Sequence, residues 1–353
     1  MALRRILDHI SQTWPPKPAF TERDIPDLAG KVYVVTGANT GIGKELARVL
    51  YTKNARVYVT ARSQGKGDQA IRDIKEAVPQ SQGELLFVAL DLNDLQHVKA
   101  AAEHIAMREQ RIHVLFNNAG VMLLGEPERT VQGYEGQLGV NNVGTHLFTK
   151  ILTPTLVETA KTERPGDVRV VWVSSSGAET PRSPPGGVPL DNLDYHEAVA
   201  DGFTRYAISK AGVYYQGTEF ARRHKAHGII SMPVHPGILN TNLFRTAPAL
   251  VRHIFTFLFT YPAINGAYTE LFAGLSPAIT LESSGNWGRC LLGANTSSIW
   301  FADRISALVV PWGRFMSIRH DLKEGSRLKE EGGTGIAKEF WDWNEAQVRS
   351  YVS

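Results

Sequence analysis

Cysteine is almost absent from this chain, and long apolar runs are missing altogether. The single cysteine among 353 residues, Cys290, excludes an intrachain disulfide and fits a reducing compartment. No stretch reaches the ~18–20 continuous apolar residues that a membrane-spanning helix needs, and the most apolar run, 254–264, contains Pro262. We therefore predict no transmembrane segment and a cytoplasmic protein, with a peripheral position on an intracellular membrane as the alternative.

A strong excess of one charge is also missing. The 38 basic and 35 acidic side chains give a formal net charge of +3, which is too small to indicate nucleic-acid binding. The 43% hydrophobic and 21% charged residues are typical of an ordinary globular protein. We predict neither a nucleic-acid partner nor a metal site.

The chain divides into an N-terminal arm over 1–30, a main domain over 31–320 and a C-terminal helical extension over 321–353. In the arm, four apolar residues recur at helical spacing beside two arginines: Leu3, Ile6, Leu7 and Ile10 beside Arg4 and Arg5. This pattern predicts a short helix docked on the domain, with weak membrane-surface binding or a transit-like signal as the alternatives. The extension is predicted to end in a helix near 340–348.

Short β-branched runs alternate with longer helical patterns through the main domain. The predicted strands are 32–36, 56–60, 85–90, 113–116, 168–173 and 229–234, and the predicted helices are 41–54, 67–78, 94–109 and a long stretch around 142–161. Such alternation predicts parallel strands joined by right-handed helical crossovers. We therefore expect one α/β domain built on a doubly wound parallel sheet, the Rossmann fold.

A glycine-rich segment joins the first predicted strand to the first predicted helix. Gly37, Gly41 and Gly43 have the spacing G-x-x-x-G-x-G. Glycines let backbone amides approach a pyrophosphate, and the helix N-terminus adds its positive dipole end. The position of the motif favours a dinucleotide site over a tight turn without a ligand.

The end of the second predicted strand indicates which dinucleotide would bind. An NAD-preferring site would place an acidic residue there to bind the ribose 2′-hydroxyl. Here the strand is followed by Arg62, with Lys66 close behind. Arg62 can pair with a 2′-phosphate, although an ordinary surface arginine is the alternative. We therefore predict NADP(H) as the cofactor.

Tyr206 and Lys210 stand four residues apart, so on a helix they share one face. A nearby ammonium stabilises a phenolate, and this pairing makes a proton-transfer device. An unperturbed tyrosine titrates near ~10, and bringing its pKa to ~7 takes roughly 4 kcal/mol. Taken alone, the pair could equally be an ordinary surface pair.

Several motifs follow one another in a fixed order along the chain. They are Thr36 to Gly43, Asp91, Asn117-Asn118-Ala119-Gly120, Val140-Asn141, Ser174-Ser175, Tyr206 to Lys210, and Pro236-Gly237 with Thr241. From about 31 to 275, this set resembles the short-chain dehydrogenase/reductase family, and within it the retinol-dehydrogenase-like branch with its many fungal members.

The resemblance implies a role for each of four catalytic residues. Tyr206 would be the general acid in reduction and the general base in oxidation. Lys210 would lower the pKa of Tyr206 and hold the nicotinamide ribose. Ser175 would hydrogen-bond the substrate oxygen, and Asn141 would anchor a water that links Lys210 to solvent.

The resemblance also implies a set of cofactor-binding residues. They are Gly37, Asn39, Thr40, Gly41, Ile42, Gly43, Arg62, Lys66, Asp91, Leu92, Asn118, Ala119, Gly120, Tyr206, Lys210, Pro236, Gly237, Leu239 and Thr241. Some alternatives stay open: Ser174 or Ser176 could replace Ser175, and Asn142 could replace Asn141. Asp91 could simply cap a turn, and His235 could either pack in its loop or touch substrate.

The implied activity is an NADP(H)-dependent oxidoreductase that interconverts a carbonyl and an alcohol. A bulky, largely apolar ketone or aldehyde of secondary metabolism is the leading substrate class, and a retinoid or steroid-like lipid alcohol is second. A non-catalytic nucleotide-binding scaffold on the same fold is the rival.

Three further features bear on substrate and assembly. The apolar segment at about 241–262 is predicted to form a substrate lid, with packing on the sheet as the alternative. The insertion at about 281–307 has no functional interpretation. Family members are often dimers or tetramers, so a homo-oligomer is an expectation, although the terminal extensions could block those surfaces.

Overall fold

The computed structural model describes residues 12–123, 125, 128–197, 200–239, 261–285 and 307–352. The helix predicted in the N-terminal arm lies outside the described residues. So do Thr241, nearly all of the predicted lid and most of the insertion at 281–307.

Eight strands form one sheet in the described part of the chain. They are β1 (Val32–Val35), β2 (Arg56–Ala61), β3 (Glu84–Ala89), β4 (Val114–Asn117), β5 (Arg169–Val173), β6 (Ile230–Val234), β7 (Ala307–Val310) and β8 (Arg314–Ser317). Their order is β3-β2-β1-β4-β5-β6-β7-β8, and every neighbouring pair is parallel except β7 with β8. The predicted fold class is confirmed. The antiparallel edge strand β8 was not predicted; the chain reverses into it at Gly313, whose φ is +84°.

Helices cover both faces of the sheet. They are α1 (Gly41–Thr52), α2 (Gln64–Ala77), α3 (Leu95–Arg108), α4 (Gly136–Leu138), a π-helical segment (Gly139–Gly144), α5 (Thr145–Thr162), α6 (Gly202–His224), α7 (Ala263–Leu275), α8 (His320–Ser326) and α9 (Ile336–Val352). None of the described helices is long and apolar enough to cross a membrane.

Local chemistry explains where the helix bounds differ from the predicted ones. The first helix ends at Thr52, not 54, and Asn54 has a φ of +64°, which a right-handed helix cannot include. The helix predicted around 142–161 begins earlier, at Gly136, because the Glu135 carboxylate accepts hydrogen bonds from the amides of Gln137 and Leu138. The C-terminal helix extends well beyond the predicted 340–348.

The core lies on both faces of the sheet because side chains alternate along each strand. Val35 and Phe116 point into one apolar cluster, which α1 and α7 complete. Val34 and Leu115 point into a second cluster on the opposite face, completed by α3, α5 and α6. Burial on both sides accounts for the continuous apolar strands that the sequence shows.

The C-terminal extension packs into this core through α9. Phe340 is fully buried beside Gly212 of α6, where a Cβ would lie 2.8 Å from the Phe340 ring and 2.7 Å from Asn142 Nδ2. Glu345 of α9 also bonds the buried His146 of α5 at 3.1 Å. The extension therefore braces α6 and the π-helical segment, the two elements that carry Tyr206, Lys210 and Asn141.

Gly212→Ala should lower the free energy of unfolding by about 1–3 kcal/mol, because the added methyl overlaps a buried ring and a buried amide. Urea denaturation followed by circular dichroism measures the change. Gly65→Ala in α2 is the matched control, since its Cβ would have no atom within 4 Å, and it should be neutral or slightly stabilising. Equal stabilities for the two variants would contradict this packing argument.

Candidate active site

The glycine-rich segment forms a tight cradle between β1 and α1. Gly37 and Gly41 have φ values of +67° and +59°, which favour glycine. A Cβ on Gly43 would lie 2.6 Å from both the Gly37 carbonyl oxygen and Asn118 Nδ2. Asn118 Nδ2 donates to the Thr36 carbonyl at 2.6 Å, so the end of β4 holds the cradle in place. The N-terminus of α1 then faces open space that backbone amides can use to bind an anion.

This cradle opens into a cleft of about 1180 Å³ at the carboxyl ends of the parallel strands. All of the predicted cofactor-binding residues that the structure describes line it: Gly37, Asn39, Thr40, Gly41, Ile42, Gly43, Arg62, Lys66, Asp91, Leu92, Asn118, Ala119, Gly120, Tyr206, Lys210, Pro236, Gly237 and Leu239. Ser175 and His235 also line the cleft. The cleft can hold a dinucleotide and a substrate together, and the cradle fits a pyrophosphate.

Two basic side chains that follow β2 in the chain line one part of the cleft. Arg62 and Lys66 are exposed, and neither forms an ion pair with another described residue. Asp73, an acidic residue in this part of the cleft, is paired with Lys44 at 2.5 Å. Asp91 accepts a hydrogen bond from the Asn93 amide at 3.1 Å, so it caps a turn and also lines the cleft.

Tyr206 and Lys210 lie inside the protein, so the surface-pair interpretation is wrong. Their exposed fractions are 6% and 4%. The Asp201 carboxylate caps the N-terminus of α6 by accepting hydrogen bonds from the amides of Phe203 and Thr204. The first turns of this helix, which carry Tyr206, line the cleft. The Lys210 ammonium lies 5.8 Å from the centroid of the Tyr206 ring and donates to the Val173 carbonyl at 2.8 Å.

Burial dominates the titration of both groups. Burial raises the pKa of the Tyr206 phenol, and a hydrogen bond with Ser175 only partly offsets this rise. Burial also lowers the pKa of Lys210 to about 8, against an opposing effect of the Glu270 carboxylate. The expectation that Lys210 brings the pKa of Tyr206 down stays a prediction.

Ser175 lies beside the Tyr206 ring at the end of β5. Its hydroxyl oxygen accepts from the Gly177 amide at 3.1 Å. A Cβ on Gly177 would lie 3.2 Å from Tyr206 Cε1 and 3.4 Å from Ser175 Oγ, so the glycine lets these side chains meet. Ser174 has a different contact, since its hydroxyl donates to the Lys210 carbonyl at 2.7 Å.

Asn141 approaches Lys210 from the π-helical segment. A Cβ on Gly120 would lie 2.9 Å from Lys210 Nζ and 3.2 Å from Asn141 Oδ1, so the two groups meet at this glycine. Asn141 also donates to Ser209 Oγ at 2.9 Å. Asn142 instead donates to the Ser209 carbonyl at 3.0 Å. The water-anchoring role of Asn141 stays a prediction.

Comparison with known proteins decides the family. The family model for short chain dehydrogenases matches residues 31–184. A short-chain dehydrogenase/reductase of Phomopsis amygdali is 46% identical over 97% of this chain and 96% of its own length. The chain belongs to the short-chain dehydrogenase/reductase family. It is thus an enzyme of the oxidoreductase class, and its family uses nicotinamide dinucleotides.

Other relatives and solved structures agree with this assignment. The short-chain dehydrogenase/reductase bet4 of Neocamarosporium betae is 42% identical over 97% of the chain and 93% of its own length. An uncharacterized protein from Mycobacterium Paratuberculosis superposes with a TM-score of 0.62 at 25% identity, covering 94% of this chain and 97% of that one. A metagenomic short-chain oxidoreductase in complex with NADP gives 0.51 at 26% identity, covering 70% of this chain and 92% of that one.

Sequence reasoning missed two residues of this dehydrogenase/reductase that contact or affect Lys210. Gly120 was expected only as a cofactor-binding residue, yet its missing side chain makes room for the ammonium. Glu270 was not noticed, although it is the one charged residue in the otherwise uncharged α7. A lone charge within an apolar helix is a signal that could have identified it.

Gly120→Ala should displace the Lys210 ammonium, because the new methyl would lie 2.9 Å from Nζ. We expect turnover to fall by roughly 10²-fold, the scale of a small misplacement in an active site. The melting temperature should change little, since the end of a lysine side chain can move. Steady-state kinetics and calorimetry test this, with Gly65→Ala as the control. Full activity in Gly120→Ala would show that the close approach is dispensable.

Proposed function

We propose that this enzyme is an NADP(H)-dependent oxidoreductase that interconverts a carbonyl and an alcohol by hydride transfer. The cluster of half-buried Ser175 with buried Tyr206 and Lys210, opening on the cleft that the glycine cradle forms, is the observation that carries the proposal. Arg62 and Lys66 support the choice of NADP(H), because their free positive charges suit a 2′-phosphate. The glycine cradle with Asn118 would hold the pyrophosphate. When bound, the nicotinamide supplies or accepts the hydride.

Each catalytic side chain would act on the substrate oxygen or on the proton. In the reducing direction Tyr206 donates a proton to the carbonyl oxygen, and the burial that raises its pKa keeps this proton in place. Ser175 Oγ accepts from the Gly177 amide and also hydrogen-bonds Tyr206, so its hydroxyl is held where it could donate to the developing oxyanion. Lys210 keeps N–H groups beyond the one that binds Val173, and these would hold the nicotinamide ribose.

The wall beside Tyr206 supports a bulky, largely apolar substrate. The Phe203 ring lies 6.3 Å from the Tyr206 ring, and Met122, Leu123 and Val140 also line the cleft. Such a lining suits an apolar ketone or aldehyde of secondary metabolism, which agrees with the likeness to fungal relatives. NADPH consumption with a panel of bulky ketones and aldehydes tests this class. Turnover of retinoid or steroid-like alcohols alone would favour the second class.

Tyr206→Phe should reduce turnover by roughly 10²–10⁴-fold, the usual contribution of a general acid, while NADPH binding stays largely intact. Tyr214→Phe is the matched control: Tyr214 is buried on the same helix and its hydroxyl lies 3.3 Å from Ser326, and it does not line the cleft. Steady-state rates and cofactor fluorescence measure both effects. Equal activity of Tyr206→Phe and wild type would overturn the assignment, and failure of every carbonyl and alcohol would favour a non-catalytic scaffold.

Arg62→Ala should weaken NADPH binding while leaving NADH binding unchanged, because only NADPH carries the 2′-phosphate. Loss of a charged hydrogen-bonding partner costs about 1.5–3 kcal/mol, or roughly 10- to 100-fold in Kd. Fluorescence titration with each cofactor measures the change. Lys75→Ala, which changes an exposed lysine on the following helix α2 outside the cleft, serves as the control. Equal weakening for both cofactors would refute the assigned role of Arg62.

A further inference from the structure

Glu270 is a buried carboxylate whose two oxygens have no hydrogen-bond partner among the described residues. The other buried glutamates are paired: Glu109 with Arg56 and Tyr58, Glu135 with Arg205, and Glu219 with Arg222 and Arg223. A buried carboxylate without a partner is strongly disfavoured unless a nearby charge compensates it. The position of Glu270 in the fold should therefore identify the nearby charge.

The position of Glu270 on α7 places it beneath the catalytic cleft. Gly266 and Gly274 lie one turn to either side on the same face of the helix. A Cβ on Gly266 would meet Leu239 and Ile42, two residues that line the cleft, and a Cβ on Gly274 would meet Phe116 of β4. Glu270 thus lies between the start of α1 and the end of β4.

The charge that acts on Glu270 is that of Lys210. α7 packs on β5, and Val173 at the end of β5 belongs to the same apolar cluster as α7. The Val173 carbonyl receives the Lys210 ammonium from the opposite face of the sheet at 2.8 Å. The two charges therefore approach the same strand end from opposite sides.

Electrostatics agree with this placement. Burial raises the pKa of Glu270 to about 8, and the Lys210 charge opposes this rise. Burial lowers the pKa of Lys210 to about 8, and the Glu270 charge opposes this fall. Among the described residues, no charged side chain other than Lys210 shifts the pKa of Glu270, and none other than Glu270 shifts that of Lys210.

We propose that Glu270 is a positioning residue for hydride transfer, whose carboxylate keeps the Lys210 ammonium protonated beneath the substrate and nicotinamide sites. The inference rests on the proposed function, because it assigns Glu270 a part in the same reaction. Glu270 acts only through Lys210, since it does not line the cleft.

Other titratable groups pack around these elements without replacing Lys210. On α1, Lys44 pairs with Asp73, while Glu45 and Arg48 act on Tyr268, the α7 residue two positions before Glu270. On β5, Arg169 donates to the Ala273 and Ser276 carbonyls at the far end of α7. At the cleft, the Tyr206 ring lies 5.8 Å from Lys210 Nζ, and His235, which follows β6, also lines the cleft. The sequences of β4 and β7 contain no titratable residue.

The direct test measures the titration of Lys210 without any substrate. Competitive labelling with acetic anhydride across a pH series, read at Lys210 by peptide mass spectrometry, gives the midpoint at which the amine loses its proton. A nearby negative charge raises the pKa of an ammonium, so its removal must lower that pKa. We expect the Glu270→Gln midpoint to fall by about 1 pH unit or more. A midpoint equal to that of the wild type would overturn the proposal.

Three further variants separate charge from packing. Thr269→Val changes the neighbouring residue, which is also fully buried with an unpartnered hydroxyl among the described residues, and should leave the midpoint unchanged. Glu270→Asp keeps the charge and should restore most of the wild-type midpoint. Glu270→Met fills a similar volume without charge and replaces the glutamine variant if that one does not fold. A shift in Thr269→Val as large as in Glu270→Gln would point to packing and count against the proposal.

The kinetic consequence is tested separately with the best substrate of the carbonyl panel. Loss of the carboxylate should move the alkaline limb of the kcat/KM profile with NADPH to lower pH, because the pKa of Lys210 falls. A shifted labelling midpoint with no turnover of any substrate would refute the proposed function and support the Glu270–Lys210 coupling. An unshifted midpoint in an active enzyme would refute the coupling and leave the proposed function standing.

Discussion

The site is organised around the burial of one positive charge, the ammonium of Lys210. A charge withdrawn from water needs fixed partners, and this one has the Val173 carbonyl and, as we propose, the charge of the Glu270 carboxylate. These partners belong to β5 and α7, while the lysine itself belongs to α6. Placing one cation therefore holds together a strand end and one helix from each face of the sheet.

The surrounding contacts keep that ammonium within reach of Tyr206. Ser174 holds the backbone of Lys210, and Gly120 leaves space where any side chain would press on Nζ. Phe340 and Glu345 then brace α6 and α5 from the C-terminal extension. The extension is thus part of the framework that positions the chemistry, even though no residue of it lines the cleft.

Most of the fold could be predicted because it depends on local patterns. Continuous apolar strands and the glycine segment at 37–43 are properties of short windows, and parallel topology follows from their alternation with helices. The bounds of α4 depend on a cap by Glu135, and the antiparallel strand β8 depends on a reversal at Gly313; neither pattern stands out in the sequence. The role of Glu270 could not be predicted from the sequence, because the role that we propose depends on a lysine on another helix that only folding brings near.

The dependence of α6 on α9 also orders events during synthesis. Ribosomes make the chain from the N-terminus, and domains generally begin to fold as they emerge. The sheet strands β1 to β6 and the helix that carries Tyr206 are complete long before Phe340 is made. Until Phe340 arrives, the apolar surface beside Gly212 and Asn142 stays open to water and to other chains. The catalytic helix is thus finished early but packed late, and the newly made chain depends on α9 to cover that surface.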